Sequence, residues 1–194
     1  MEYTDVFAVL SFVVSASTYF FYVRAILESG ARPTLSVWIG WLIPDATILA
    51  GMLAQKKIAW QLVAYTAGCT IVILVCLWKG AAVGWKWLDT TCVGIIILAT
   101  VLWAISGDPN IAITLSLIAT TIGCIPMVPN VWKDPRREPL LPWCLVTTGG
   151  IFGVAAIPAM TIGDALAPVW FLVLQVVFVT ILIVRRRAVP AVTS

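Results

Sequence analysis

Apolar runs of about twenty residues follow one another along the chain, separated by short segments rich in Gly, Pro and charged residues. The seven runs extend from about Asp5 to Glu28, Leu35 to Gln55, Ile58 to Lys79, Trp87 to Ser106, Ile111 to Trp132, Leu140 to Met160 and Leu166 to Val184. A membrane-spanning helix needs roughly 20 mostly apolar residues, whereas a barrel strand needs about ten with alternating polarity. The pattern predicts an all-α integral membrane protein with seven transmembrane helices.

The composition agrees with this class. Of the 194 residues, 61% are hydrophobic and 11% are charged, against roughly 45–50% and about 25% in soluble domains. The first five residues include two acids and no base, unlike the positive start of a cleaved signal peptide. We therefore expect the first run to be retained as a helix.

Basic residues are distributed unequally between the two predicted membrane faces. One face has only Lys56 and Lys57, and the other has Arg24, Arg32, Lys79, Lys86, Lys133, Arg136, Arg137, Arg185, Arg186 and Arg187. Because cytoplasmic loops are enriched in Lys and Arg, this predicts an external N-terminus and a cytoplasmic C-terminus. The net charge of +3 then requires no nucleic-acid partner, and the terminal arginines are expected to contact anionic lipid.

Tryptophans form the second topological signal. Most of the ten lie near predicted helix ends, among them Trp38, Trp60, Trp78 and Trp143. Aromatic belts at the membrane interfaces have this distribution.

Residue types needed for several kinds of chemistry are missing. The sequence contains no histidine, and its five cysteines occur singly, without a C-x-x-C pair. Such cysteines are typical packing residues, so we expect no metal, cofactor or disulfide. No paired mid-membrane carboxylates and no G-x-S-x-G or H-E-x-x-H motif occur, and we do not expect an enzyme.

An internal repeat organises the chain. The segment Pro126–Trp143 (PMVPNVWKDPRREPLLPW) has a weaker counterpart at Phe21–Trp38 (FYVRAILESGARPTLSVW), about 105 residues earlier. The same shift places the first three predicted helices on the last three and leaves the fourth as a linker. Because a single linker helix reverses direction once, both three-helix bundles cross the membrane in the same sense, as in transporters with parallel repeats. The predicted parts are residues 5–79 (repeat 1), 80–109 (linker), 110–187 (repeat 2) and 188–194 (cytoplasmic tail).

This 3+1+3 layout, with a proline ending the first helix of a repeat, a basic loop, and Ser or Pro opening the next helix, resembles the PQ-loop superfamily. That group includes the SWEET and SemiSWEET sugar transporters and the cystinosin-like lysosomal exporters. Pro126 matches the family proline, with Met127 in place of the usual Gln, and the first repeat has Phe21-Tyr22 there. The resemblance implies alternating access, with Pro126 as a hinge.

Further hinge candidates lie in the second helix of each repeat. Pro142 is near a second family proline, and Pro44 falls several residues past its expected place. Pro44 and the pair Gly149-Gly150 occupy matching positions. Since Pro frees a backbone carbonyl and Gly removes side-chain bulk, they are either hinges flanking a pocket or ordinary kinks and close packing.

Asp45 is the strongest functional candidate, because it lies about ten residues from either end of the second run. A carboxylate at that depth costs about 2.5–3.5 kcal/mol on insertion scales and should face a cavity or a partner. Burial favours its protonated form, so Asp45 is interpreted as a proton carrier or substrate contact. Alternatively, it is a protonated acid bonded to Thr47, Ser15 or Tyr19.

Hydroxyl residues recur at matching positions in the first helix of each repeat. Ser11 and Ser15 correspond to Ser116 and Thr120, and each pair shares a helix face. They are candidates for helix–helix contacts, and Ser15 and Thr120 also for the solute pathway.

The resembled family takes substrate contacts from the third and seventh helices. Under the shift, Tyr65 corresponds to Trp170 and Thr70 to Gln175. Aromatic and amide groups suit a small polar solute, so these four residues complete the predicted pathway; packing is the alternative.

Two function classes remain. The first is a carrier for a small polar solute, sugar-like or amino-acid-like, working by alternating access and either facilitative or driven by protons through Asp45. The second is a non-transporting scaffold or accessory subunit of a larger membrane complex, suggested by the incomplete PQ signature and by the absence of the Trp and Asn that hold sugar in SWEETs. Membrane lipid is an expected partner and a homo-oligomer is left open. A carrier predicts a polar cavity near the membrane midplane, and a scaffold predicts a dry interface.

Overall fold

The structure, a computed structural model, describes residues 2–28, 31, 33, 35–81, 85–125, 127–136 and 138–189. This part of the chain folds into helices and contains no strand. The helices are α1 (Tyr3–Glu28), α2 (Leu35–Ala54), α3 (Trp60–Trp78), α4 (Trp87–Ser106), α5 (Pro109–Cys124), α6 (Met127–Lys133), α7 (Leu140–Ala155) and α8 (Ile162–Ala188).

Six candidate membrane spans occur among the described residues: α1, α2, α3, α4, α8 and the segment Pro109–Lys133, which contains α5 and α6. The sixth predicted run corresponds to α7, an apolar helix of only 16 residues. The prediction of an all-helical membrane protein is confirmed. The described residues contain six candidate spans where seven were predicted.

The predicted boundary between the last two runs is wrong by several residues. Helix α7 ends at Ala155 rather than at Met160, because the residue before Pro158 is disfavoured in helical conformation. Helix α8 begins at Ile162 rather than at Leu166, because the Thr161 hydroxyl accepts a hydrogen bond from the Asp164 backbone amide at 3.3 Å and caps the helix.

Polarity is distributed as expected for a protein surrounded by lipid. Large apolar side chains such as Leu74 and Val173 are exposed, whereas Ser15, Asp45 and Gln175 are buried. Since lipid solvates apolar surface and polar groups in a membrane turn towards other helices, the buried faces of the helices are the ones that carry chemistry.

The helices pack in a reciprocal pattern. Helix α3 contacts both α1 and α2, and α8 contacts both α5 and α7. The other extensive contacts are α1 with α7 and α2 with α5, and α4 lies against α5 and α2. The main apolar core draws residues from α1, α2, α3, α5, α7 and α8, so the two ends of the chain form one body.

Only some of the tryptophans form an interfacial belt. Trp60, Trp78 and Trp87 are exposed near helix ends, as predicted. Trp38 is only 5% exposed and contacts the Tyr22 ring at a centroid distance of 4.8 Å. The belt prediction is therefore wrong for Trp38. This residue lies near the start of α2, but its side chain packs into the core.

Candidate solute-binding site

A cavity of about 150 Å³ lies between five of the spanning helices and α7. Its lining residues come from α1, α2, α3, α5, α6, α7 and α8. They are Thr18, Tyr19, Tyr22, Trp38, Trp41, Asp45, Tyr65, Cys69, Thr120, Cys124, Val128, Pro142, Trp143, Val146, Phe171, Leu174, Gln175, Val177, Phe178 and Ile181. We call this space the central cavity.

Aromatic rings form much of the wall of the central cavity. A connected series runs from Tyr22 on α1 through Trp38 and Trp41 on α2 to Trp143 on α7 and Phe178 on α8. The successive ring centroids are 4.8, 5.6, 6.1 and 4.2 Å apart; the first three distances are in the range of favourable aromatic contacts, and Trp143 and Phe178 are closer still. These large rings hold the helices apart on this side, and the cavity is the space they leave.

Asp45 contributes the carboxyl group of the central cavity. It follows Pro44, which cannot donate the hydrogen bond that would satisfy the carbonyl of Gly40 in a regular helix. The side chain is 3% exposed, and its Oδ1 atom has no hydrogen-bond partner among the described residues. The Thr47 hydroxyl, one predicted partner, donates instead to the Ile43 carbonyl at 2.9 Å.

Two other cavity-lining acceptors are also unpartnered within the described part of the chain. They are the Thr120 hydroxyl oxygen on α5 and the Gln175 amide oxygen on α8. Buried polar atoms in folded proteins normally have a hydrogen-bond partner. The indole N–H of Trp41, a donor on a fourth lining residue, is also without a partner among the described residues, so the hydrogen bonding of this lining is incomplete.

A hydrogen-bonded layer closes the central cavity on one side. The side-chain amides of Gln61 on α3 and Gln175 on α8 both donate to the Tyr65 hydroxyl. Tyr65 and Gln175 line the central cavity, whereas Gln61 lines a second cavity of about 230 Å³. We call this trio the polar septum because it lies between the two cavities.

The second cavity opens towards the end of the protein that contains Lys56 and Lys57. There the Lys57 ammonium group lies 2.9 Å from the Asp164 carboxylate, and both residues line the cavity. Gly153 of α7 packs against Gln61 so closely that a Cβ atom would overlap its amide oxygen. The absence of side chains on this helix face leaves room for the septum.

At the opposite, arginine-rich end, hydrogen bonds connect the segment that precedes α7 to α1, α7 and α8. The Tyr22 hydroxyl donates to the Glu138 carboxylate at 2.6 Å, and the Trp143 indole donates to the same oxygen at 3.2 Å. Arg186 donates to the carbonyls of Pro135 at 3.2 Å and Glu138 at 2.5 Å. Because Tyr22 and Trp143 line the central cavity, this network connects its wall to the C-terminal part of α8.

Four of the seven predicted pathway residues line the central cavity: Asp45, Tyr65, Thr120 and Gln175. Ser15 is fully buried beside Gly149, outside the lining.

The prediction for Thr70 and Trp170 is not supported. Thr70 is exposed and donates to the Thr66 carbonyl at 2.8 Å. Trp170 donates to the Thr121 hydroxyl at 2.9 Å and lines a surface groove. Residues five apart on a helix are turned by about 140°, so Tyr65 and Thr70, or Trp170 and Gln175, cannot both face inward.

The hinge candidates are also distributed over different environments. Pro142 lines the central cavity, and Pro44 is buried next to Asp45. Gly149 and Gly150 are buried where α7 contacts α1 and Gln175. Both glycines allow close packing there, which is independent of any role as a hinge. Pro126 lies outside the described residues.

Most residues of the aromatic wall, together with Gln61 and Glu138, were not predicted as site residues from the sequence. A signal was present in α1, where Ser15, Tyr19 and Tyr22 are spaced by four and three residues and are all buried. That spacing places the three residues on one helix face. Tyr19 and Tyr22 therefore lie on the same face as Ser15, which the sequence had already singled out.

Comparison of the chain with protein-family models, with curated proteins and with solved structures found no match.

Proposed function

We propose that this protein is a membrane carrier for a small solute, working by alternating access in a PQ-loop-like 3+1+3 fold. The observation that carries this proposal is the central cavity, whose lining residues Trp41, Asp45, Thr120 and Gln175 each carry a buried polar atom without a hydrogen-bond partner among the described residues. A scaffold has no need of buried polar atoms without partners, since each is unfavourable unless a ligand or water satisfies it.

The helix contacts support the duplicated arrangement. In the proposed repeats, residues 5–79 and 110–187, the third helix of each unit contacts the other two. The first helix of each unit contacts the second helix of the other unit, as α1 with α7 and α2 with α5. Two units related by an axis along the membrane normal require this exchange, and the central cavity lies between them.

The two cavities support alternating access. The central cavity extends towards Trp38, Trp143 and the arginine-rich end, and the second cavity is lined by Lys56 and Lys57 at the opposite end. The polar septum separates them. In this proposal, rearrangement of the septum and of the Tyr22–Glu138 contact opens the central cavity to one end or the other, with the N-terminus outside.

Asp45 is the proposed coupling residue. The ion pairs Arg24–Glu28 and Lys57–Asp164 do not involve it, and no Lys or Arg lines the central cavity among the described residues. A carboxyl group in a membrane interior without a basic partner is a typical proton relay. Protonation during one half of the cycle would link solute movement to a pH gradient.

The proposal is tested by solute uptake into vesicles containing the purified protein, with radiolabelled sugars, amino acids and amines, with and without a pH gradient. We expect at least one solute to enter faster than into protein-free vesicles, with a gradient dependence that Asp45→Asn abolishes. Asp5→Asn, which changes an exposed acid on α1, is the matched control and should behave as wild type.

The result divides the competing functions. No uptake of any tested solute, from a protein that elutes as a folded species, would favour the scaffold. Uptake whose gradient dependence persists in Asp45→Asn would leave the carrier in place and remove Asp45 from coupling.

A further inference from the structure

We infer that the central cavity binds a small organic cation, a primary ammonium group carried on a body no larger than one ring. This inference rests on the proposed function and assigns its solute class. It follows from the charge, the hydrogen-bonding pattern, the aromatic wall and the size of the cavity.

Charge excludes anionic solutes. Asp45 is the one carboxyl group among the described lining residues, and none of those residues is Lys or Arg. The other titratable groups that line the cavity are weakly acidic, Tyr19, Tyr22, Tyr65, Cys69 and Cys124. An anion would meet a carboxyl group with no compensating cation, whereas a cation would give Asp45 the partner that buried charges require.

Hydrogen bonding favours a solute rich in donors. Four lining residues carry a buried polar atom without a partner among the described residues: Asp45, Thr120 and Gln175 carry acceptors, and Trp41 carries a donor, its indole N–H. A primary ammonium group has three donors and no acceptor, which matches three acceptors on α2, α5 and α8. Acceptors outnumber the single donor among these atoms, so a donor-rich group satisfies more of them than a sugar does, whose own hydroxyl oxygens also need donors.

The aromatic wall favours the same class. Trp38 and Trp41 of α2, Tyr19 of α1 and Tyr65 of α3 line the cavity around Asp45. Aromatic faces attract ammonium ions through the ring quadrupole, and the attraction is stronger when the cation is desolvated. Rings and a carboxyl group together bind an organic cation better than either would alone.

Size sets the upper limit. A cavity of about 150 Å³ is comparable to one that holds a benzene-sized molecule. A single ring with a short ammonium substituent fits this volume, and a disaccharide does not.

Proton and solute would then compete for the same carboxyl oxygens. An ammonium group bound to Asp45 requires the ionised acid, and a proton on Asp45 removes the charge that attracts the ammonium group. Transport coupled through Asp45 would therefore exchange a proton for an organic ammonium ion.

The experiment measures equilibrium binding by calorimetry on the purified full-length protein, with three probes that share a benzyl skeleton. These are benzylamine as the cation, benzyl alcohol as the neutral analogue and benzoate as the anion. We expect benzylamine to bind about tenfold or more tightly than the other two, because a buried charge-assisted hydrogen bond is among the stronger polar interactions. Asp45→Asn should abolish this preference by weakening benzylamine binding.

A second variant guards against misfolding of Asp45→Asn. Gln175→Met keeps the side-chain length and removes one acceptor, so it should weaken benzylamine binding more than benzyl alcohol binding. Thr70→Ala, which changes an exposed hydroxyl, should change neither.

The outcomes separate this inference from the carrier proposal. Equal or tighter binding of benzyl alcohol or benzoate, or benzylamine binding that survives in both variants, would overturn the cation site. If a neutral solute is nevertheless taken up by vesicles, the carrier stands without it. Asp45-dependent benzylamine binding without uptake of any amine would support the site and overturn the carrier.

Discussion

The contact between α1 and α7 and the contact between α2 and α5 are counterparts in the proposed duplication, yet they have opposite characters. At the first, the Ser11 hydroxyl donates to the Gly149 carbonyl at 2.8 Å. At the second, Ser116, which corresponds to Ser11 under the shift of about 105 residues, has no hydrogen-bond partner within the described part of the chain. The same residue type at matched positions is bonded in one contact and unbonded in the other.

Their steric properties differ in the same direction. Gly149, Gly150 and Gly153 let α7 approach α1 and the polar septum without side chains between them. In α2 the position matching Gly150 is Asp45, and Thr120 of α5 and Asp45 both line the central cavity. We infer that the α1–α7 contact holds the two halves together and that the α2–α5 contact carries the site.

The largest expected effect is at Gly149. A Cβ atom there would overlap Ser15 Oγ and lie 3.1 Å from the Ser15 backbone nitrogen, so α1 would have to move. We expect Gly149→Ala to lower the free energy of unfolding by about 2–3 kcal/mol, as overpacking does, measured by thermal unfolding in detergent. Gly94→Ala on α4, where the structure has no atom within 4 Å of the added Cβ, is the control and should be neutral or stabilising. Equal effects of the two would show that the α1–α7 contact is not tight.

An intermediate effect is expected at Tyr22, which ties α1 to the segment before α7. Tyr22→Phe removes the donor of a 2.6 Å hydrogen bond to Glu138, and hydrogen bonds to charged groups contribute about 1.5–3 kcal/mol. We expect a loss of about 1.5 kcal/mol in Tyr22→Phe, and a smaller loss from Glu138→Gln in that variant than in the wild type, where the Tyr22 hydrogen bond is lost as well. Additive losses in this double-mutant cycle would mean that the two side chains do not interact.

The smallest effect gives the sharpest comparison. Ser11→Ala removes a made hydrogen bond, which in membrane proteins contributes about 0.6 kcal/mol on average, whereas Ser116→Ala removes a hydroxyl without a partner. We therefore expect a loss of about 0.6 kcal/mol for Ser11→Ala and no loss for Ser116→Ala, by the same unfolding measurement. A larger loss at Ser116 would contradict the contrast between the two contacts.

The fold class could be predicted because a bilayer imposes long apolar runs on any chain that crosses it. Helix α4 begins and ends at the predicted residues, Trp87 and Ser106. The error between α7 and α8 arose from reading Met160 as part of the apolar run, although Pro158 had already ended the helix.

The site was predictable where the chemistry of a residue is unusual for a membrane helix or where the repeat pointed to it. Asp45 was predicted because a carboxyl group in the middle of a membrane helix should face a cavity or a partner. Gln175 was predicted because it corresponds to Thr70 under the shift and its amide suits a polar solute. Trp41 and Phe178 were missed because lipid is as apolar as a protein core, so hydropathy does not distinguish a helix face that lines a cavity from one that faces lipid. Glu138 was missed because its burial depends on Tyr22, which is far away in sequence.

The 16 residues of α7 have a consequence for the surrounding membrane. At 1.5 Å per residue they cover about 24 Å, less than the hydrocarbon thickness of about 30 Å, while the 27 residues of its neighbour α8 cover about 40 Å. We expect the bilayer to be thinner beside the exposed side chains Leu141 and Ile151 and α8 to tilt within it. We therefore expect acyl-chain length to act on the helix that bears Gly149, so that the lipid composition of the membrane changes the strength of the α1–α7 contact.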